Sequence, residues 1–208
     1  MAIGDSYVTG AQVAGRLGQT YDPAVHDPLA EAASRAVESF TKRQFNRSEV
    51  VEPRRFRASD RGLTRVDDFY SLDGLIVDVD GTIWTADDFD VRPPDGIVNG
   101  TPGWPYGDLL ALSQCFPWRR NHVVTVSALW GWGAVPAAIT LATLDVAVVM
   151  SYGASGETAG PVSGEAIDGY SVRYVAAGLG EMPDAQAPPE LRKAVPYRRR
   201  WRHGFGVA

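Results

Sequence analysis

The chain of 208 residues is poor in the residue types that build disulfide frameworks and most metal centres. It has one cysteine, Cys115, and three histidines. A single cysteine can form neither an intrachain disulfide nor a multi-cysteine metal site. A catalytic cysteine would need a positioned histidine, and the histidines stand in unrelated sequence contexts. We therefore predict no catalytic residue, no metal ligand and no cofactor.

Long apolar runs are also missing. The longest, Val135–Met150, is too short to cross a bilayer and contains Asp145. The first ten residues have neither the basic nor the apolar region of a secretory signal. A hydrophobic content of 45% and a net charge of -5 are typical of an ordinary globular protein without a generally basic surface. We expect a soluble protein with no membrane partner.

Lysine is scarce, and the basic residues, which are mostly arginine, are unevenly distributed along the chain. From Leu191 onwards the sequence has six basic side chains and no acidic one. Such an asymmetry between body and tail indicates a tail with its own partner. The basic and aromatic residues that we single out are Tyr197, Arg198, Arg199, Arg200, Trp201 and Arg202.

Three segments have helical patterns. Thr9 is suited to cap a short helix over 10–17 that Gly18 ends. An amphipathic pattern over Leu29–Phe45 predicts a second helix, with its start bracketed by two prolines. Pro136 is suited to open a third helix over Val135–Met150.

The third helix is apolar on most of its circumference, so it must be covered on most of its circumference. In a chain of this size we expect a second copy to supply part of that cover. The residues that we predict to pack between subunits are Trp130, Trp132, Val135, Ile139, Ala142 and Val146.

The middle of the sequence has β character, with short runs separated by turn signals. The runs are Val50–Arg57, Leu63–Val66, Leu75–Val79, Thr82–Thr85 and His122–Leu129. Asp73-Gly74 is one of the turn signals between these runs, and Asp80-Gly81 is a hairpin signal. The predicted fold is α+β: a small helical bundle of three main helices, an inserted antiparallel β-rich subdomain and an extended C-terminal arm. The predicted divisions are 1–48, 49–130, 131–155 and 156–208.

One motif allows an enzymatic interpretation. The apolar strand followed by Asp78-Val79-Asp80-Gly81-Thr82 resembles the first motif of haloacid dehalogenase-type phosphatases, whose two aspartates act with magnesium. The alternative is that Asp78 and Asp80 lie on the solvent side of an antiparallel strand. A calcium loop is a weaker interpretation, because its twelfth position is Phe89 and not glutamate.

Four tryptophans leave a second choice open. Trp104, Trp118, Trp130 and Trp132 are suited either to anchor a small β core or a subunit interface, or to form a stacking platform for sugars or bases. The first role is the prediction.

Four segments together resemble the head-to-tail connector, or adaptor, family of tailed phages. They are Glu38–Phe45, Trp130–Ile139, Ser163–Val172 and the Tyr-Arg-rich tail. The order of two helices, a β-rich insertion, a third helix and a C-terminal arm also matches that family. The large β insertion departs from its simplest, mostly helical members.

The resemblance implies a structural virion protein of the neck, assembled in the host cytoplasm. It implies a ring of about twelve copies that binds the portal and the next head-completion, neck or tail-terminator protein. Genome DNA would pass through the lumen without sequence recognition. We expect the basic tail to dock on the portal, with direct DNA contact as the alternative. Another neck or tail component is the alternative function.

Overall fold

The computed structural model describes residues 5–98, 101–117, 123–154, 165–167, 170–172 and 187–199. Helices combine with an antiparallel sheet of six strands, which confirms the predicted α+β class. The chain forms two compact units. The β unit comprises Gln44–Val135 with Asp5, and the helical unit comprises Ser6–Arg43 and the chain from Pro136 onwards.

The helical unit contains α1 (Gly10–Leu17), α2 (Pro23–Thr41) and α3 (Ala137–Ala154). The start of α1 is a capping box: the Thr9 hydroxyl accepts from the Gln12 amide at 3.2 Å, and the Gln12 side chain accepts from the Thr9 amide at 2.8 Å. Gly18 ends the helix in the left-handed conformation. The predicted bounds of α1 are confirmed.

The predicted bounds of α2 were wrong at both ends. The helix begins at Pro23, because the Asp22 carboxylate caps it by accepting from the Ala24 amide at 2.9 Å. Pro28 lies inside the helix, where it removes one intrahelical hydrogen bond. The helix ends where Lys42 turns left-handed with φ 56°. The apolar pattern continued to Phe45 because that ring belongs to the core of the β unit.

The third helix begins at Ala137, two residues after the predicted start and directly after Pro136, whose carbonyl accepts from the amides of Ile139 and Thr140. It continues to Ala154, beyond the predicted end. Across the part of the chain that the structure describes, no helix combines the length and the apolar character that a membrane crossing requires.

The sheet of the β unit is antiparallel in every described pair. Its order is β1-β6-β2-β5-β4, with β3 paired to β2. The strands are β1 (Glu52–Phe56), β2 (Leu63–Val79), β3 (Thr82–Trp84), β4 (Phe89–Arg92), β5 (Tyr106–Ala111) and β6 (Val124–Trp130).

The hairpin predicted at Asp80-Gly81 is confirmed. These two residues join β2 to β3, with Val79 opposite Thr82 and with φ of 52° and 87° in the loop. A two-residue hairpin turn whose twist matches that of its strands requires a positive φ at both residues, and Asp and Gly tolerate this conformation.

The turn predicted at Asp73-Gly74 was wrong. Leu63–Val66 and Leu75–Val79 belong to one long strand, β2, whose pairing with β6 shifts register between Ser71 and Ile76. Gly74, at φ 71°, lies in this irregular stretch. The first part of β2 pairs with β5 and the last part with β3, so the irregularity bends one strand between different neighbours.

Short elements follow α3 in the described chain. In the helical unit, β7 (Glu165–Ile167) and β8 (Tyr170–Val172) form a separate two-stranded antiparallel sheet. A C-terminal 3-10 segment covers Pro189–Tyr197 and packs on α3 and α2. Its Leu191 and Ala194 are fully buried.

Candidate interaction surfaces

The tryptophans of the Trp-Gly-Trp sequence lie in the interior of the β unit. Trp130 donates from its indole to the Glu52 carbonyl at 2.7 Å and from its amide to the Ser48 hydroxyl at 2.8 Å. The Trp132 indole donates to the Asp68 carboxylate at 3.0 Å, and its ring centroid lies 5.2 Å from that of Trp104. Trp130 and Trp132 are buried in the β unit, which is one of the two roles predicted for the tryptophans. Trp118 lies outside the described residues.

The inner side of α3 contains the other residues predicted to pack between subunits. Ile139, Ala142 and Val146 are buried in the single chain, as Trp130 and Trp132 are, and Val135 is half-buried. Thr143 and Ala147 complete this covered side of the helix. Subunit packing by these residues stays a prediction, and within the protomer their side chains already have cover.

The opposite side of α3 is apolar and partly exposed in the described part of the chain. Leu141 is 45% exposed, Val149 37% and Tyr152 73%. Because positions three and four apart share a helix face, the partly exposed Leu144 and Val148 continue this surface. We call it the α3 stripe; its residues are Leu141, Leu144, Val148, Val149 and Tyr152. The uniform apolar pattern of the sequence did not indicate which side would remain open.

An ion cluster lies beside the stripe. The Asp145 carboxylate accepts from the Arg16 guanidinium at 2.9 Å and from the Lys193 ammonium at 2.6 Å, so it connects α3 with α1 and with the C-terminal 3-10 segment. Partial burial alone would raise the pKa of Asp145, but the hydrogen bonds and charges of Lys193 and Arg16 outweigh it and hold that pKa below its ordinary value. The three residues are too distant in sequence for their spacing to predict this cluster.

This pKa shift predicts a pH dependence of the helical unit. A carboxyl group whose pKa is lower in the folded state stabilises that state above its unfolded pKa, near 4, and the stabilisation disappears as the pH falls through the folded pKa. We expect Asp145→Asn to lower the melting temperature at about pH 6 and to lose this effect in acid, as the carboxyl group of the folded wild type becomes protonated. Melting curves of both proteins across this range test it. A difference that stays constant with pH would contradict a role for the charged carboxylate.

The beginning of the basic tail is held by its own protomer. The Arg198 guanidinium lies 5.1 Å from the centroid of the Phe40 ring, and the Arg199 amide donates to the Thr41 carbonyl at 2.7 Å. Tyr197 is the last residue of the 3-10 segment. The remaining residues of the predicted docking tail, which are Arg200, Trp201 and Arg202, lie outside the described residues.

The paired aspartates of the phosphatase-like motif have structural roles in the hairpin. The Asp78 carboxylate accepts from the Gly81 amide at 2.7 Å, and that of Asp80 accepts from the Val123 amide at 3.3 Å. The enzyme family that the motif resembles needs repeated strand–helix units with a parallel sheet. Here β2, which bears Asp78, pairs antiparallel with all its neighbours. Within the described residues, no group of three or more His, Cys, Asp or Glu is placed to hold a metal ion.

Comparison with known proteins finds a similar fold among solved structures. No family model matches the sequence, and no curated protein matches it. Among solved structures, the chain is similar to one in the "Neck of empty GTA particle computed with C6 symmetry", where GTA denotes a gene transfer agent. The TM-score is 0.52 and the identity 16%, over 96% of this chain and 93% of that chain. The helices and the β insertion together therefore share their fold with a neck protein of such a particle.

Proposed function

We propose that the protein is a non-enzymatic structural subunit of the neck of a phage-type particle. Within the neck we assign it the role of head-to-tail connector, a ring between the portal and the next neck or tail component. The observation that carries the proposal is the similarity of fold to a GTA neck protein over 96% of this chain and 93% of that one. The resemblance of four sequence segments to phage connectors supports the same role independently.

The α3 stripe supports association into a ring. An apolar surface that an isolated protomer leaves in water is a favourable contact for another copy. Leu141, Val149 and Tyr152 lie on the side of α3 away from its buried residues and are exposed in the protomer. A head-to-tail contact repeated around an axis closes into a ring. The similar chain belongs to a neck computed with C6 symmetry, and a ring of about twelve copies is compatible with that symmetry.

The overall charge suits a channel for DNA. The net charge of -5 gives the protein little general attraction for the phosphate backbone. A ring of such subunits allows DNA to slide without being retained, and it needs no recognition of sequence.

Native mass spectrometry and negative-stain electron microscopy of the purified protein test this proposal. We expect closed rings of about twelve copies with a central channel. Rings that bind to isolated portals would establish the connector role within the neck. A protein that stays monomeric both alone and with portal would overturn the proposal.

The basic tail is proposed to dock on the portal, where arginines can pair with acidic side chains in bidentate geometry. Removal of residues 200–208 keeps the contact of Arg198 with Phe40 and the hydrogen bond of Arg199 to Thr41. We therefore expect the truncated protein to form rings but not to attach to DNA-filled heads. Co-sedimentation of purified rings with heads measures attachment.

The control for this truncation is the full-length protein assayed at several salt concentrations. Docking on the portal predicts attachment to emptied heads as well as to filled ones. Direct contact with DNA predicts attachment to filled heads alone, with an affinity that falls steeply as salt rises. Normal attachment of the truncated ring would refute both roles for residues 200–208.

A further inference from the structure

The C-terminal 3-10 segment and the residues next to it pack on the helical unit along one side. We call residues 187–199 the C-terminal clamp; its 3-10 segment contacts α3 and α2. Leu191 and Ala194 are fully buried, whereas Arg192 and Lys193 between them are exposed. Residues three apart share one side of a 3-10 helix. The apolar side of the clamp therefore faces the helices, and its charged side faces solvent.

An ion pair holds the middle of the clamp to α3. The Lys193 ammonium donates to one oxygen of the Asp145 carboxylate at 2.6 Å. The Arg16 guanidinium of α1 donates to the other oxygen at 2.9 Å. Hydrogen bonds between charged groups are shorter and stronger than those between neutral groups. The pair therefore adds a directional contact to the apolar packing of the clamp.

The end of the clamp is bound at the C-terminal end of α2. That helix ends at Thr41, and the last carbonyls of a helix have no partner within it. One of them, the Thr41 carbonyl, accepts from the Arg199 amide at 2.7 Å. The Arg198 guanidinium lies over the Phe40 ring, where the helix dipole also favours a cation. The helical unit therefore holds the first two arginines of the predicted docking tail.

We propose that the C-terminal clamp positions the basic tail, so that the tail reaches the portal from a fixed point on each protomer. This inference rests on the proposed docking of the tail and names the residues that position it. A tail that starts from a fixed point loses less conformational freedom on docking than one that starts from a freely moving segment. Leu191, Lys193 and Ala194 are positioning residues, which act through the tail and not through contacts of their own with the portal.

An insertion between the clamp and the rest of the tail tests this inference. A flexible insert of about twelve Gly and Ser residues is placed between Arg199 and Arg200; its ends are separated by roughly 20 Å on average. It keeps every residue of the clamp and of the tail, but the tail no longer starts from a fixed point. We expect rings to form normally and their attachment to heads to weaken at least about tenfold. Co-sedimentation of rings with heads measures attachment.

The matched control carries the same insert after Ala208, at the end of the chain. It adds the same residues without separating the tail from the clamp. We expect these rings to attach to heads as the wild type does.

A second pair of variants changes the clamp itself. Ala194→Glu would bury a carboxylate among apolar groups, which is costly enough to release the clamp. Arg192→Ala makes the same change in net charge at an exposed position. We expect Ala194→Glu to speed amide hydrogen exchange of residues 189–199 in assembled rings and to weaken attachment at least about tenfold. Arg192→Ala is expected to do neither. The insertion variant, whose clamp is intact, decides the inference if Ala194→Glu does not assemble.

The outcomes separate this inference from the proposed function. Equal attachment with the insert at either position would overturn the role of the clamp and leave the docking of the tail intact. Normal attachment of an Ala194→Glu ring whose clamp exchanges rapidly would overturn it as well. Normal attachment after removal of residues 200–208 would instead refute the docking of the tail, and the absence of any ring in the unmodified protein would overturn the proposed function.

Discussion

Gly131→Ala is expected to destabilise the β unit by about 4 kcal/mol or more, which is among the largest effects of single substitutions. Gly131 has φ 94°, a conformation that side chains disfavour. A Cβ atom there would lie 1.7 Å from the Asn46 carbonyl oxygen and 2.9 Å from the Arg47 Cα. Both obstacles are backbone atoms, so no side-chain rotation relieves the clash. Chemical denaturation followed by tryptophan fluorescence measures the change in the free energy of unfolding.

Gly133→Ala is the matched control for this prediction. It lies two residues further along, and a Cβ atom at that position would have nothing within 4 Å. We expect its free energy of unfolding to stay within about 0.5 kcal/mol of the wild type. Equal stability of the two variants would show that the segment around Gly131 adopts another conformation in solution.

Leu141→Glu combined with Tyr152→Glu is expected to abolish ring formation while the protomer stays folded. Both side chains are substantially exposed in the single chain, so the protomer tolerates charge at these positions. In a subunit contact, each glutamate would be buried without a partner, at several kcal/mol per contact. Because every contact in the ring carries both changes, we expect association to weaken by at least about a hundredfold. Sedimentation velocity measures the distribution of species.

A matched control places the same charges elsewhere on exposed apolar positions. Ile83 in β3 is 68% exposed and Val50 60%. We expect Ile83→Glu with Val50→Glu to leave the ring intact. A ring that survives the change on α3 and disappears with the control would assign the subunit contact to the β unit and exclude the α3 stripe.

Local chemistry predicted the elements whose ends depend on neighbouring residues. The capping box at Thr9, the left-handed Gly18, the Asp80-Gly81 turn and the start of α3 after Pro136 all lie where the sequence indicated. Each of these signals acts through hydrogen bonds or backbone angles within four residues. A single sequence contains all the information that such features need.

Elements that depend on distant partners were not predicted. The residue pattern indicated neither β4 nor β5, because prolines and glycines dominate the adjoining residues 93–107. These strands are instead defined by pairing with each other and, for β5, with β2. Gly74 was interpreted as a turn because its positive φ suits either a turn or an irregular strand, and only the pairing of β2 with β6 distinguishes the two.

The interaction surfaces, too, were predicted only as far as neighbouring residues determine them. The apolar composition of α3 predicted that the helix needs extensive cover. Which half the protomer covers depends on where α1, α2 and the C-terminal 3-10 segment pack, and these contacts cover Ile139, Ala142 and Val146. In the ion cluster, Asp145 lies 129 positions after Arg16 and 48 positions before Lys193. No local sequence pattern contains pairs that are this far apart.

Hydrogen bonds join the two ends of the β unit to each other. Arg47 forms a β-bridge with Gly131, the Ser48 amide donates to the Trp130 carbonyl at 2.8 Å, and the Trp130 amide donates to the Ser48 hydroxyl. The segments by which the chain enters and leaves the β unit therefore lie side by side. The entropy of closing a loop grows only slowly with its length. The β unit can therefore become larger or smaller in evolution, or be exchanged, with little effect on the stability of the helical unit. Another domain, or a tight turn, can take the place of the β unit between these two segments.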